Sequence, residues 1–570
     1  MSQHRTFSVQ QSRRAILVAG MLLALGTLVW RAVSLQVLNK DFLQGQGQAR
    51  HLRVVSLPAH RGMILDRQHE PLAVSTPVES VWVNPQELAG VQEGISALAK
   101  VLEMDRDQVQ QMVARHAERE FVYLRRHVSP ALAQQVRTLG VAGVYLQKEY
   151  KRYYPAGEVS AHVVGFTDID DAGQEGLELA FDDWLRGAPG AKRVIRDGQR
   201  HAIEDVENIR LPRPGKDLVL SIDRRIQYLA YRELKAAMNE HQALSASAVV
   251  LDVGTGEILA MVNQPSYNPN NRNQLRRLTL RNRAATDVFE PGSTMKPFIV
   301  ATALETGRYT PGTAVSTAPG WMRVGRNSVR DVHDYGLLDV AGVIKKSSNV
   351  GISKIALSLP RERIWSTLSA LGFGVPSASG FPGEASGLLT SPGGWNDIET
   401  ATLAFGYGIS VTPLQLAKAY AVLAAGGIRR PVTLLRQDQP PAGKRVVTAR
   451  VAQQLIAMLE AVTNSGGTAL QARVAGYRVA GKTGTVRKSE AGGYADDKYL
   501  AVFAGMAPAS KPRLVMVVMV NEPGNGKYYG GQVAAPVFSR VMSGALRLMA
   551  VPPDDLPLLQ TRQGAAGEPA

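Results

Sequence analysis

Ser293 and Lys296 stand three residues apart, directly after Glu290-Pro291-Gly292. Pro-Gly breaks regular structure and the apolar run after Pro297 reads as a helix, so Ser293 is expected at or near a helix N-terminus. Residues i and i+3 share a helix face, which puts Lys296 one turn from the Ser293 hydroxyl. A serine is a weak nucleophile until a base takes its proton, and a buried lysine with a lowered pKa can be that base. The helix N-terminus favours the negative charge that develops. Ser-x-x-Lys alone is a weak signal, because an N-capping serine with a surface lysine nearby gives the same letters.

Two further polar elements follow. Ser347-Ser348-Asn349 falls where a helix is expected to start, and an ordinary N-cap pair is its bland reading. Lys482-Thr483-Gly484-Thr485 lies near a late apolar strand, and a polar strand edge with a turn is its bland reading.

Elements must hold these residues in place, and 570 residues suggest two or three domains. The chain is 45% hydrophobic and 20% charged, which is ordinary for a folded protein. It has no cysteine, so a disulfide, a Cys-based zinc site and a Cys nucleophile are excluded. The ten histidines show no His-Glu-x-x-His spacing; no metal or other cofactor is expected. The net charge of +16 is spread without a long basic run or a nucleic-acid motif. A surface facing an anionic polymer or membrane, and drawing in carboxylates, fits that charge better than nucleic acid does.

Ala15 to Trp30 carries no charged side chain, and Ala32 to Leu38 is again mostly apolar after Arg31. If Arg31 snorkels, residues 15–38 make a transmembrane anchor. Arg5, Arg13 and Arg14 precede it without an acidic residue, so residues 1–14 are expected in the cytoplasm and the rest outside. A signal peptide cleaved near Ala32-Val33-Ser34 is the competing reading.

Residues 39–215 mix short strands and helices; His51 to Leu57 reads as a strand, and a helix is expected just after Gly94. Leu211-Pro212-Arg213-Pro214-Gly215 marks a boundary. In residues 216–551, Leu218 to Ile222 reads as a strand and Arg224 to Met238 as an amphipathic helix. Ser247 to Asp252 and Glu257 to Val262 form a predicted hairpin. Tyr499 to Met506 and Leu514 to Val520 read as late strands, and Val537 to Met549 as a closing helix. Early and late strands around a helical middle suggest one sheet closed by both ends of a domain. Residues 552–570 read as a loose tail.

The order of Ser-x-x-Lys, Ser-Ser-Asn and Lys-Thr-Gly resembles that of the penicillin-binding proteins and class A β-lactamases. The chain is most similar to class B penicillin-binding proteins of the septal, FtsI-like type. Arg61-Gly62 through Asp66-Arg67, Tyr154-Pro155-Ala156-Gly157 through His162, and Gly176-Leu177-Glu178 resemble that family's N-terminal pedestal. Thr255-Gly256-Glu257-Ile258-Leu259-Ala260-Met261 and Thr412-Pro413-Leu414-Gln415-Leu416-Ala417 resemble its transpeptidase half. Gln68-His69 departs from the family's usual Asn-Gly turn. The resemblance implies an α+β multidomain fold: a transmembrane helix, an elongated mixed pedestal, and a transpeptidase domain with an antiparallel sheet flanked by helices.

It also implies roles. Ser293 would be the nucleophile, Lys296 the base, Ser347 the proton relay and Asn349 the holder of the substrate amide. Lys482 would set the local field, and Thr483, Gly484 and Thr485 would bind the terminal carboxylate of the substrate. The backbone N–H groups of Ser293 and Thr485 would form an oxyanion hole. Tyr529, in Tyr528-Tyr529-Gly530-Gly531, would line the cleft. The substrate would be peptidoglycan stem peptides, and β-lactam antibiotics would be covalent inhibitors. Partners would be a polytopic FtsW-like lipid-II polymerase and other division proteins. An elongation-type transpeptidase, a β-lactamase and a β-lactam sensor are the competing readings.

Overall fold

The computed structural model describes residues 3–38, 52–196, 202–271, 273, 275–490 and 493–556. The chain divides into two compact units, residues 1–60 with 187–215, and residues 61–186 with 216–570.

Among its described residues the first unit carries one helix, Gln3–Val33, continued by a wider turn over Ser34–Leu38. Its stretch Arg13–Leu38 is long and apolar enough to cross a membrane and is not buried by protein, so apolar side chains face outward all round. The unit also holds a three-stranded antiparallel sheet of Leu52–Leu57, Gly190–Arg196 and Ala202–Arg210. His51, where a strand start is expected, lies outside the described residues.

The second unit is centred on a five-stranded antiparallel sheet. Its order is Ile258–Gln264, Ser245–Asp252, Leu514–Asn521, Gly493–Ala507 and Ala480–Glu490. Of the three inner strands, Ser245–Asp252 and Leu514–Asn521 are buried almost throughout, because helices cover both faces. Arg224–His241 and Gly530–Leu548 pack on one side, and Pro413–Ala424 with Ala449–Thr463 pack among the helices beneath the site. The closing helix begins at Gly530, seven residues before the expected Val537, and carries Pro536 inside it, where the missing N–H forfeits the bond to the Gln532 carbonyl.

A smaller sheet of the same unit pairs the long strand Pro71–Val83 with Val122–Val128 and Val144–Tyr153, and helices Gln92–Val101, Arg106–Arg115 and Pro130–Leu139 bury its other face. The first of these starts at Gln92, and so includes Gly94 rather than beginning just after it. Two of the segments singled out in the sequence meet here: Arg61 Nη2 and Glu178 Oε2 form a fully buried ion pair at 2.7 Å. Arg152 Nε donates to the other Glu178 oxygen at 2.7 Å, so both carboxylate oxygens are taken. At the departure from Asn-Gly, His69 holds φ +64°, the left-handed region in which glycine is unstrained.

The tail is less loose than its composition predicts. Asp554 Oδ1 accepts from Arg478 N at 2.8 Å and Asp554 Oδ2 from Ser510 N at 3.1 Å, which ties the chain down as far as the last described residues. Residues 557–570 of the expected tail lie outside the described ones.

Candidate active site

Ser293 sits in a single 3-10 turn, Gly292–Met295, and the helix proper starts at Lys296 and runs to Glu305. The turn is seated by its neighbours. Thr294 Oγ1 donates to Pro291 O at 2.7 Å, and the buried Tyr420 hydroxyl donates to Thr294 O at 3.0 Å. Gly292 takes φ +56° and its N–H donates to Gly406 O at 3.2 Å. A Cβ on Gly406, itself at φ +85°, would stand 2.2 Å from Gly292 O, so only glycine lets that loop lie against the serine turn. Glu290 Oε1 fixes the same loop by accepting from Gly408 N at 2.9 Å.

Ser347-Ser348-Asn349 is not a simple helix start. Ser347 ends the helix Val340–Lys346 in a left-handed conformation, φ +61°, and Ser348 caps the next helix, Asn349–Leu357, accepting from Gly351 N at 2.8 Å. The junction between two helices turns the Ser347 and Asn349 side chains toward Lys296. Lys296 Nζ donates to Asn349 Oδ1 at 2.8 Å, to Ser347 O at 2.5 Å and to Ser347 Oγ at 3.2 Å.

Lys482-Thr483-Gly484-Thr485 lies inside the outermost strand of the central sheet, not at a turn. Lys482 Nζ reaches across to Ser347 Oγ at 2.9 Å. Both lysines are completely buried. Burial drives Lys296 well below its ordinary pKa, the Lys482 charge pushes it further, and Asp331 acts in the opposite direction. Burial alone brings Lys482 down to about 7. Burial and the Lys482 charge both favour the uncharged form of Lys296 over the ammonium.

The half-buried Ser293, Ser347, Asn349 and Thr485 line one cavity of about 720 Å³ together with Thr483 and Tyr529. Lys296, Lys482 and Gly484 stand behind its wall; Gly484 packs so close that a Cβ would be 3.0 Å from Pro291 O. The Thr485 hydroxyl accepts from Gly530 N at 3.0 Å, which leaves its proton free to donate into the cleft. Tyr528 stacks on Tyr499 with centroids 4.2 Å apart, and Tyr529, half exposed, tilts against Tyr528.

Sequence reasoning missed Asp331. One of its oxygens accepts from Ser348 Oγ at 2.5 Å, and the other accepts from the N–H groups of Asn349 and of Val350, the latter at 3.1 Å. It is an N-terminal anion for the helix that carries Asn349. No motif marks it, since it lies sixteen positions before Ser347 in an irregular stretch. Thr468, whose hydroxyl is 2.9 Å from that of Thr483, was missed for the same reason.

An antiparallel sheet walled by helices, with a serine turn and two buried lysines at its outer strand, defines a serine acyl-transfer enzyme of the transpeptidase class. The penicillin binding protein transpeptidase domain matches residues 246–543, and the penicillin-binding protein dimerisation domain matches residues 56–220. The chain belongs to the penicillin-binding protein transpeptidase family. It is 44% identical over 549 residues to the peptidoglycan D,D-transpeptidase FtsI of Escherichia coli strain K12, spanning 95% of this chain and 93% of that protein. It resembles the apo transpeptidase domain of Burkholderia pseudomallei penicillin-binding protein 3 with TM-score 0.55 and 44% identity, over 59% of this chain and 98% of that one. It resembles Mycobacterium tuberculosis penicillin-binding protein 3, complexed with aztreonam, with TM-score 0.69 and 28% identity, over 88% of this chain and 98% of that one.

Proposed function

We propose that this protein is a septal peptidoglycan D,D-transpeptidase that works through an acyl-enzyme on Ser293. The observation that carries the reading is the meeting of Lys296 and Lys482 at Ser347, beside Ser293. Lys296 takes the proton of the Ser293 hydroxyl as its oxygen attacks the carbonyl of the penultimate D-Ala of a donor stem peptide. The backbone N–H groups of Ser293 and Thr485 hold the oxyanion, and one such donor is typically worth about 3 kcal/mol of barrier. Asn349 holds the substrate amide, and Thr483, Gly484 and Thr485 hold the terminal carboxylate in the field of Lys482. The C–N bond breaks as Ser347 relays a proton to the departing D-Ala nitrogen. An amine of a neighbouring stem peptide then attacks the ester, loses a proton and restores Ser293. β-Lactams acylate the same serine.

The helix in residues 15–38 anchors the protein once in the bacterial inner membrane, with residues 1–14 cytoplasmic and the pedestal (39–215), transpeptidase domain (216–551) and tail (552–570) periplasmic. An FtsW-like lipid-II polymerase and other division proteins are the partners.

Labelling with a fluorescent penicillin, followed by peptide mapping, tests the reading. A stable adduct on Ser293, lost in Ser293→Ala, is expected. Rapid turnover of the label would point to a β-lactamase, and an adduct elsewhere would remove Ser293 as nucleophile.

A further inference from the structure

Trp321–Val324 and Asn327–Arg330 form an antiparallel hairpin between the serine turn and the Ser347 junction in sequence. Its two faces differ sharply. Val324 and Val329 point inward and are buried against Val350 and Ala401, beneath the helix that carries Asn349. Trp321 and Arg330 pair directly across the strands on the other face, as do Arg323 and Ser328. All four are exposed, Trp321 by 52%.

That outward face opens on a cavity of about 470 Å³ lined by Trp321, Ser328 and Arg330 and by the segment Asp331 to Asp334. Asp331, Val332 and His333 line the catalytic cleft as well, so the two cavities share a wall. Val332 is 77% exposed on that wall. The hairpin carries three arginines, Arg323, Arg326 and Arg330, and among the described residues none has a carboxylate within ion-pair distance. Nearby acids are committed: Asp331 to the Ser348 helix start, and Asp334 to the Gly336 N–H at 2.9 Å.

We propose that this face is the binding site for the acceptor strand, a stem peptide bearing free carboxylates, whose amine resolves the acyl-enzyme. The inference rests on the transpeptidase reading above. There the donor carboxylate lies along Thr483 and Thr485, which leaves the Asp331–His333 wall to the second substrate. Arg330 supplies a planar donor fork for a carboxylate, and Trp321 supplies an apolar face for the adjoining side chain or sugar. Both groups continue the catalytic cleft on the side of Ser347 and Asn349.

The test uses the full-length protein in detergent, a thioester donor and a soluble stem peptide with a free amine as acceptor. In Trp321→Ala and Arg330→Gln the KM for acceptor is expected to rise about tenfold, the size of one lost charge-assisted bond. Donor thioester consumption without acceptor, and penicillin labelling of Ser293, are expected to stay within about twofold of the parent. Arg330→Lys is expected to recover part of the loss. An unchanged acceptor KM in both variants overturns the proposal. So does an equal loss of donor consumption, which would assign the face to the donor strand or to support of the Asn349 helix. Failure of the unmodified protein to label at Ser293 would instead sink the transpeptidase reading itself.

Discussion

Lys296 and Lys482 converge on one oxygen, the Ser347 hydroxyl, from 3.2 and 2.9 Å. Two charged ammonium groups cannot share that site without strong repulsion, and burial leaves neither with water to screen it. The Lys482 charge is one of the causes that lower Lys296. Replacing Lys482 with Gln removes a positive neighbour, so Lys296 should bind its proton more tightly and its pKa should rise. Only the free amine can act as base. The acid limb of penicillin acylation against pH is therefore expected to move to higher pH in Lys482→Gln, as read by stopped-flow labelling. A limb that stays in place or moves lower would separate the two lysines electrically.

Asp331 anchors the start of the helix carrying Asn349 through Ser348 and two backbone N–H groups. Asp331→Ala leaves those donors to water, at a cost of about 1–3 kcal/mol in stability. Asn349 and Ser347 should lose their fixed placement. Acylation is expected to slow by more than tenfold while thermal unfolding remains cooperative. Full acylation with lowered stability would show that Asp331 serves the fold alone.

Gly406 lies where a methyl group would meet Gly292 O at 2.2 Å. Gly406→Ala must push the serine turn or the loop aside, and a shift of one ångström in a reacting group is costly to rate. Acylation is expected to fall by about a hundredfold. Crystallography of the variant should show Ser293 displaced; an undisturbed Ser293 with normal acylation would contradict this.

Glu178 is buried between Arg61 and Arg152. Glu178→Gln removes the buried carboxylate shared by two buried guanidinium groups, a loss of about 3–5 kcal/mol. Chemical denaturation should register it as a lower midpoint, with Ser293 labelling intact in whatever protein remains folded. A midpoint equal to the parent's would show that Asp171 and Asp182 suffice for Arg61.

Local chemistry made much of this protein legible. The apolar run after Arg14, the hairpin around Gly254-Thr255-Gly256 and the amphipathic helix from Arg224 follow from hydropathy, period and turn residues, which act over a few positions. Ser293, Lys296, Ser347, Asn349 and Lys482 were readable because they come as short motifs in a fixed order. Only the tertiary structure decided how they meet. Ser347 is brought to Lys482 across 135 positions by the packing of a helix junction against an edge strand, and no local pattern encodes that distance. Burial, too, is a tertiary property: the sequence supplies two lysines, and the surrounding core removes their water and so lowers the pKa of both. Asp331 stayed hidden for the same reason, since a capping carboxylate supplied from another segment becomes a functional position only when folding delivers it to the helix it serves.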